Sequence, residues 1–288
     1  MSKLVTHRSG GAERFSVVCE NPFTHHWEGS LASPCIVADP GNASVLISSN
    51  DRCEKPATQI HGSKDGGQSW AQLAELDSQF WSTLFYHRGN LYVFGTTQQY
   101  GDVVIRRSTD GGHTWTEPLG PRSGRLTSGQ RWHCAPTPVV EHQGRLWRAF
   151  EAFPMGCWAL SFRAAVWSAS SDSDLLDRAS WTVSCSLPFP RWSLRAGLGW
   201  LEGNVCVDKH NRIVSIMRLH NLIDGYAAML DVATDGSKVS VRRVINFPGG
   251  CKKFTIRFDP VTQRSVGPVN HLQKINTQTR RRINSVSW

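Results

Sequence analysis

Ser63-Lys64-Asp65-Gly66-Gly67-Gln68-Ser69-Trp70 and Ser108-Thr109-Asp110-Gly111-Gly112-His113-Thr114-Trp115 are two copies of one pattern, S-x-D-G-G-x-S/T-W, set 45 residues apart. Asp-Gly-Gly between extended runs reads as a hairpin turn, because glycine enters the positive-φ region without a Cβ clash. The Asp carboxylate can accept turn amides, and the Ser or Thr hydroxyls can add local bonds of the same kind. Trp then covers the hairpin and buries a large apolar area. On this reading Asp65 and Asp110 are turn builders, with Trp70 and Trp115 as their lids. Self-similarity at this period is the sequence mark of a β-propeller, one blade per repeat.

On either side of the octapeptides strand-like runs alternate with turn signals, and no segment keeps a 3.6-residue apolar period. A first blade spans Ser33 to about Leu76 and closes on the first octapeptide, and a second runs from Phe80 to about Pro118 and closes on the second. A third begins at Trp132, with a worn turn at Ser170-Ser171-Asp172-Ser173-Asp174-Leu175 and Trp181 downstream. A fourth starts at Gly199-Trp200-Leu201-Glu202 and carries a worn turn at Ala233-Thr234-Asp235-Gly236-Ser237-Lys238. A fifth opens near Lys253-Phe254-Thr255-Ile256-Arg257-Phe258. Residues 31–288 are therefore expected to form one propeller, with segment 1–30 available to close its last blade.

Composition supports a large all-β domain. The protein has 288 residues, 40% of them hydrophobic, and 12 Trp, enough for a packed core. No run approaches the ~18 apolar residues a membrane helix needs. The N-terminus lacks the apolar stretch of a secretory signal, so a cytoplasmic location is the default expectation. Eight cysteines are scattered without C-x-x-C spacing, which argues for free thiols and against zinc. The net charge of +9 is dispersed apart from Arg280-Arg281-Arg282, so it predicts a solvated basic surface compatible with acidic glycans and no nucleic-acid partner. His25, His26 and His133 lack ligand spacing, so neither a metal nor another cofactor is expected.

The octapeptides resemble the Asp box, or BNR repeat, of the sialidase (neuraminidase) fold, and the resemblance to bacterial sialidase-like proteins extends over most of the sequence. Ala32-Ser33-Pro34, Trp200-Leu201-Glu202-Gly203-Asn204 and Phe247–Arg257 carry it further. The resemblance implies a six-bladed all-β propeller, and with four units and part of a fifth legible, a propeller incomplete toward its C-terminus is the expectation. It also implies Asp boxes on outer hairpins, away from the substrate, and a site at the propeller axis. There, three arginines grip the substrate carboxylate, a Glu activates a Tyr nucleophile, and an Asp serves as acid/base; sialidases are the Tyr-nucleophile exception among retaining glycosidases. Arginine suits that grip because its planar fork meets a carboxylate with two hydrogen bonds.

Carried over residue by residue, Glu202 is the candidate activating carboxylate. It lies in an apolar strand, where a carboxylate is costly without a partner or a task. Arg218 follows it one strand-turn-strand later, and the same pair can equally be a buried ion pair without catalysis. Arg257 could supply a second fork or be a surface arginine. Asp51 stands after the second strand of the first blade, where the family's acid/base Asp lies; beside Arg52 it also reads as a turn Asp. Trp200, with Trp81, Trp132 and Trp158, could stack on sugars, against the packing needs of the blades. Glu151 is a second acid, able to pair with Glu202 as in an ordinary glycosidase.

The sequence also departs from the family. The F/Y-R-I-P arginine is missing from the segment around Asn21–Glu28, and the four tyrosines (86, 92, 100, 226) are not placed late in the sequence. Two readings result. One is an exo-acting, sialidase-like glycoside hydrolase acting on sialic acid or another acidic glycan. The other is a noncatalytic BNR-repeat propeller that binds glycan or protein.

Overall fold

The computed structural model describes residues 16–21, 30–190, 197–221, 225–272 and 281–287. Among them there is no α-helix, only a single 3-10 turn at Arg178–Ser180. The protein divides into two compact units. One holds the described residues up to Pro136 together with Asp172–Trp181. The other holds Thr137–Ser171 and the described residues from Thr182 onward.

In the first unit, β1 (Leu31–Asp39), β2 (Asn42–Arg52), β3 (Ala57–Ser63) and β4 (Ala71–Asp77) form an antiparallel meander in sequence order. Next come β5 (Phe80–His87), β6 (Asn90–Thr96) and β7 (Val103–Ser108) in a second meander, then the two-residue β8 (Trp132–His133). Cys35, Ile47, Ile60 and Leu76 of the first sheet pack on Leu84, Leu91 and Val93 of the second. Burial of such apolar area, at roughly 25 cal/mol per Å², is what holds one sheet on the next.

The second unit begins with β9 (Val140–His142), β10 (Arg145–Ala152) and β11 (Arg163–Ser170). The short β12 (Trp181–Val183) and β13 (Leu187–Pro188) follow, and β13 pairs with β11. A four-stranded meander follows, made of β14 (Trp200–Val207), β15 (Ile213–Leu219), β16 (Gly225–Val232) and β17 (Val239–Phe247). The last sheet is β18 (Arg257–Asp259), β19 (Arg264–Leu272) and β20 (Arg281–Ser287). Trp147, Ala149 and Val166 pack on Val205, Ile213 and Val232, and Val214 and Ile216 pack in turn with Phe254, Ile256 and Val269. The described residues thus form five sheets, and the sixth blade implied by the resemblance is not among them. The predicted fifth-blade strand at 253–258 is mostly irregular. Phe254 and Ile256 are buried there as core plugs, Phe254 makes a single bridge to Val269 of β19, and only Arg257–Asp259 forms a strand.

The two octapeptides fold alike. In the first, Asp65 Oδ1 accepts the amides of Gln68 (2.9 Å) and Ser69 (3.0 Å), and Oδ2 accepts the Ser69 hydroxyl (2.6 Å). In the second, Asp110 accepts His113 N, Thr114 N and the Thr114 hydroxyl at 3.1, 2.9 and 2.6 Å. Ser63 and Ser108 receive the amides of Gly67 and Gly112, each at 2.8 Å. Trp70 and Trp115 donate their indole N–H to the carbonyls of Gly67 and Gly112. Both glycines of each copy have positive φ, 71° and 88° in the first and 73° and 100° in the second. Both Asp carboxyls, fed first by the Ser69 or Thr114 hydroxyl and then by amides, are held well below the usual carboxylate range.

A second repeat shows only in the backbone. The first strands β1, β5 and β14 each carry a register shift near their start, at Ala32/Cys35, Phe80/Thr83 and Leu201/Gly203. The bulged residues Ser33 (φ 49°), Trp81 (φ 48°) and Glu202 (φ 28°) are all left-handed. That conformation costs a non-glycine residue roughly 1–2 kcal/mol, so the surrounding structure must hold it, and the bulge re-aims the side chain.

Candidate active site

Glu202 sits on the β14 bulge with its side chain 9% exposed. Its Oε2 accepts a hydrogen bond from Arg218 Nη1 at 2.7 Å, and its Oε1 lies 3.5 Å from Lys253 Nζ. Arg218 is the penultimate residue of β15 and is 15% exposed; its Nε donates to the Cys251 carbonyl at 3.2 Å. Lys253 is 74% exposed, so one flank of the carboxylate faces a solvated cation.

The next two residues are fastened as well. Gly203 donates its amide to Glu151 Oε1 at 3.0 Å, and Glu151 is fully buried on β10. A Cβ on Gly203 would come within 2.7 Å of the Ala149 Cβ and 2.8 Å of the Met217 sulfur, so the strands close here only over a glycine. Asn204, also fully buried, accepts Ile256 N at 3.0 Å and donates to the Phe254 carbonyl at 3.4 Å. Glu202, Gly203 and Asn204 thereby gather Arg218, Lys253, Glu151 and the 254–256 segment around one bulge.

The remaining sequence candidates have other surroundings. Arg257 is exposed at the start of β18. Trp200 is fully buried, donates its indole N–H to Leu187 O at 2.9 Å and meets Phe189 edge-on at 4.7 Å, so protein and not a sugar covers its faces. Asp51 belongs to the other unit and is fully buried. Its Oδ1 accepts the Thr58 hydroxyl (2.9 Å), and its Oδ2 accepts the Trp81 amide (2.8 Å), which makes it the clamp of the β5 bulge. His25 and His26 fall outside the described residues, and no cluster of three or more metal-ligating side chains occurs among the described ones. All eight cysteines are thiols, none of them in a disulfide.

Lys253 went unread in the sequence because it belongs to a loop reached only through the fold, although it stands inside Phe247–Arg257. Glu151 was legible as an acid in an apolar run, but its partnership with the Gly203 amide was not.

No family model matches the protein, and no curated protein matches it in sequence. Its fold does match solved structures. The GH93 alpha-L-arabinofuranosidase of Fusarium graminearum superposes with a TM-score of 0.57 at 11% identity, over 88% of this chain and 78% of that one. An endo-1,4-beta-xylanase from Bacteroides thetaiotaomicron gives 0.53 at 12% identity, over 89% and 95%. A Hadza microbial sialidase gives 0.51 at 12% identity, over 83% of this protein and 52% of the sialidase. These are β-propeller folds of glycoside hydrolases, and the sialidase is one of several. At such identity the likeness is one of fold, and function must be argued from the site.

Proposed function

We propose that this protein is a glycoside hydrolase whose centre is the Glu202–Arg218 pair, acting on a terminal acidic sugar. The observation that carries the reading is the β14 bulge, which sets a nearly buried carboxylate against Arg218 at 2.7 Å and beside the exposed Lys253. A carboxylate held between Arg218 and Lys253 suits a base or a stabiliser of an oxocarbenium-like transition state. The exposed Lys253 supplies positive charge toward solvent, which matches an anionic sugar. The fold likeness to hydrolases with different substrates supports glycoside cleavage as the reaction class. Sialic acid is the specific substrate the sequence resemblance favours.

The test is hydrolysis of aryl glycosides, an aryl sialoside included, by the purified protein. Glu202→Gln is expected to lower kcat by about 10²-fold or more. Unchanged turnover in that variant would overturn the assignment.

A second reading, a glycan-binding propeller without catalysis, is favoured by a specific observation. Arg218 spends Nη1 on Glu202 and Nε on Cys251 O, and Glu151 spends Oε1 on a backbone amide. Groups so engaged bind and hold well. Saturable glycan binding without turnover would select this reading.

A further inference from the structure

The loop between β10 and β11 is firmly built yet turns apolar side chains outward. Its roots, Phe153 and Phe162, are buried and meet edge-on at 5.1 Å. Between them Ser161 Oγ accepts the Cys157 amide and Ser161 N donates to Cys157 O, both at 3.0 Å. Phe162 N donates to Ala159 O at 3.2 Å. On this frame Met155 is 78% exposed, Trp158 47% and Leu160 49%. An apolar cluster held in the open marks an interaction site.

The loop rests on the strands that carry the Glu202–Arg218 pair, all within one unit. A Cβ on Gly199 would strike the Ala159 carbonyl oxygen at 2.2 Å, so the loop backbone touches the lead-in to β14, just ahead of Glu202. Trp158 meets the His220 ring edge-on at 5.1 Å, just past Arg218. The β14–β15 pairing runs on to that point: His220 N donates to Gly199 O (3.0 Å) and Leu198 N to His220 O (2.8 Å). Leu219 is buried, whereas Arg218 and His220 on either side of it are half-buried. By that alternation Arg218 and His220 share one side of the chain, about 7 Å apart along it.

The polar atoms of this surface identify the ligand class. The indoles of Trp147, Trp181 and Trp200 each donate to a protein carbonyl. Among the described residues neither the Trp158 indole N–H nor the His220 imidazole has a hydrogen-bond partner. A lipid chain or an apolar protein face laid over them would strand both groups, which costs free energy. A partner protein would also engage about 20–30 residues a side, far more than this loop presents. A sugar ring suits the whole arrangement. Its C–H face covers apolar side chains, and its hydroxyls bond the imidazole and the indole N–H.

We infer that Trp158 and His220 form a subsite for the sugar residue joined to the one held at the Glu202–Arg218 pair, so that the ligand is an oligosaccharide ending in an acidic sugar. That its terminal sugar is acidic rests on the proposed function of the pair; the sugar contact at Trp158 does not. The test is calorimetric titration of the whole protein with sialyllactose against methyl sialoside, glucuronosyl-galactose against methyl glucuronide, and lactose alone. At least one acidic oligosaccharide is expected to bind about tenfold or more tighter than its methyl glycoside. Trp158→Ala should remove most of that preference, Trp158→Phe less of it, and His220→Ala should lower it about threefold. Thermal melts check that each variant folds; should Trp158→Ala not fold, Trp158→Phe and His220→Ala carry the test. Equal affinity for oligosaccharide and methyl glycoside would overturn the subsite, and so would a preference that survives these substitutions; neither result touches the Glu202 assignment, which Glu202→Gln tests. Lactose binding that is lost in Trp158→Ala, with no acidic ligand bound, would uphold the subsite and sink the acidic reading of the pair. Binding of none of these ligands would overturn the subsite.

Discussion

Glu151 accepts the backbone amide of Gly203 at 3.0 Å, and in the other unit Asp51 accepts the amide of Trp81 at 2.8 Å. Both acids are the penultimate residues of their strands, β10 and β2, and both are fully buried. Each holds the bulged start of the next sheet's first long strand. Arg218, penultimate in β15, makes the complementary bond to the Cys251 carbonyl ahead of β18. A polar side chain at one strand position thus fastens successive sheets, and the residue on the bulge is aimed by that bond. In the second unit that residue is Glu202.

Breaking the Glu202–Arg218 pair from the arginine side leaves a carboxylate that is 9% exposed without its main partner. Arg218→Met is expected to destabilise the fold by about 3 kcal/mol. The double variant Glu202→Gln/Arg218→Met should recover part of that loss, because the stranded charge is gone. Urea melts of the single and double variants check this, and strictly additive losses would count against a coupled pair.

Gly203→Ala should cost about 1–3 kcal/mol by overpacking against Ala149 and Met217. It should also lower turnover more than Gly62→Ala, where a Cβ meets only the flexible end of Leu73. Thermal melts and kcat measured side by side decide the point. Equal losses at both glycines would show that the β14 bulge has no special role.

The octapeptide carboxylates set an acid limit to stability. Asp65 and Asp110 have folded-state pKa values below the ordinary one. Their contribution is therefore complete above the unfolded value of about 3.9 and fades as pH falls through the lower folded value. Asp65→Asn/Asp110→Asn should be less stable than the parent at pH 7, and its stability should fall less steeply below about pH 4. Parallel acid-side slopes for parent and variant would contradict the assignment.

Thiol reactivity should divide by position. Cys157 and Cys185 are exposed. Burial, and secondarily the Asp208 carboxylate, push the Cys206 thiol up to about 12. At pH 8 a disulfide reagent should modify Cys157 and Cys185 in the native protein and reach Cys206 only on unfolding, since the thiolate is the reactive form. Mass spectrometry after brief labelling reads the sites directly, and early modification of Cys206 would refute the burial of its thiol.

What the sequence determined alone is whatever local chemistry dictates. Asp-Gly-Gly with its flanking hydroxyls and Trp specifies a turn within eight residues, so both octapeptides were readable as hairpin turns held by their Asp. The β-runs between turns marked the sheets, because alternating or continuous apolar stretches need no distant partner to be recognised. The ionic partner of Glu202 was also within reach, as Arg218 lies on the adjacent strand of the same meander. The rest required tertiary structure. A left-handed φ at a non-glycine residue leaves no mark on its residue type, so the bulges at Ser33, Trp81 and Glu202 were invisible. Asp51 and Glu151 looked like acids available for chemistry until packing brought them amides from 30 and 52 residues away. Trp200 looked like a platform for sugar until Phe189 and Leu187 covered it. Those partners come from different sheets, and only the burial of one sheet on another decides which polar groups meet.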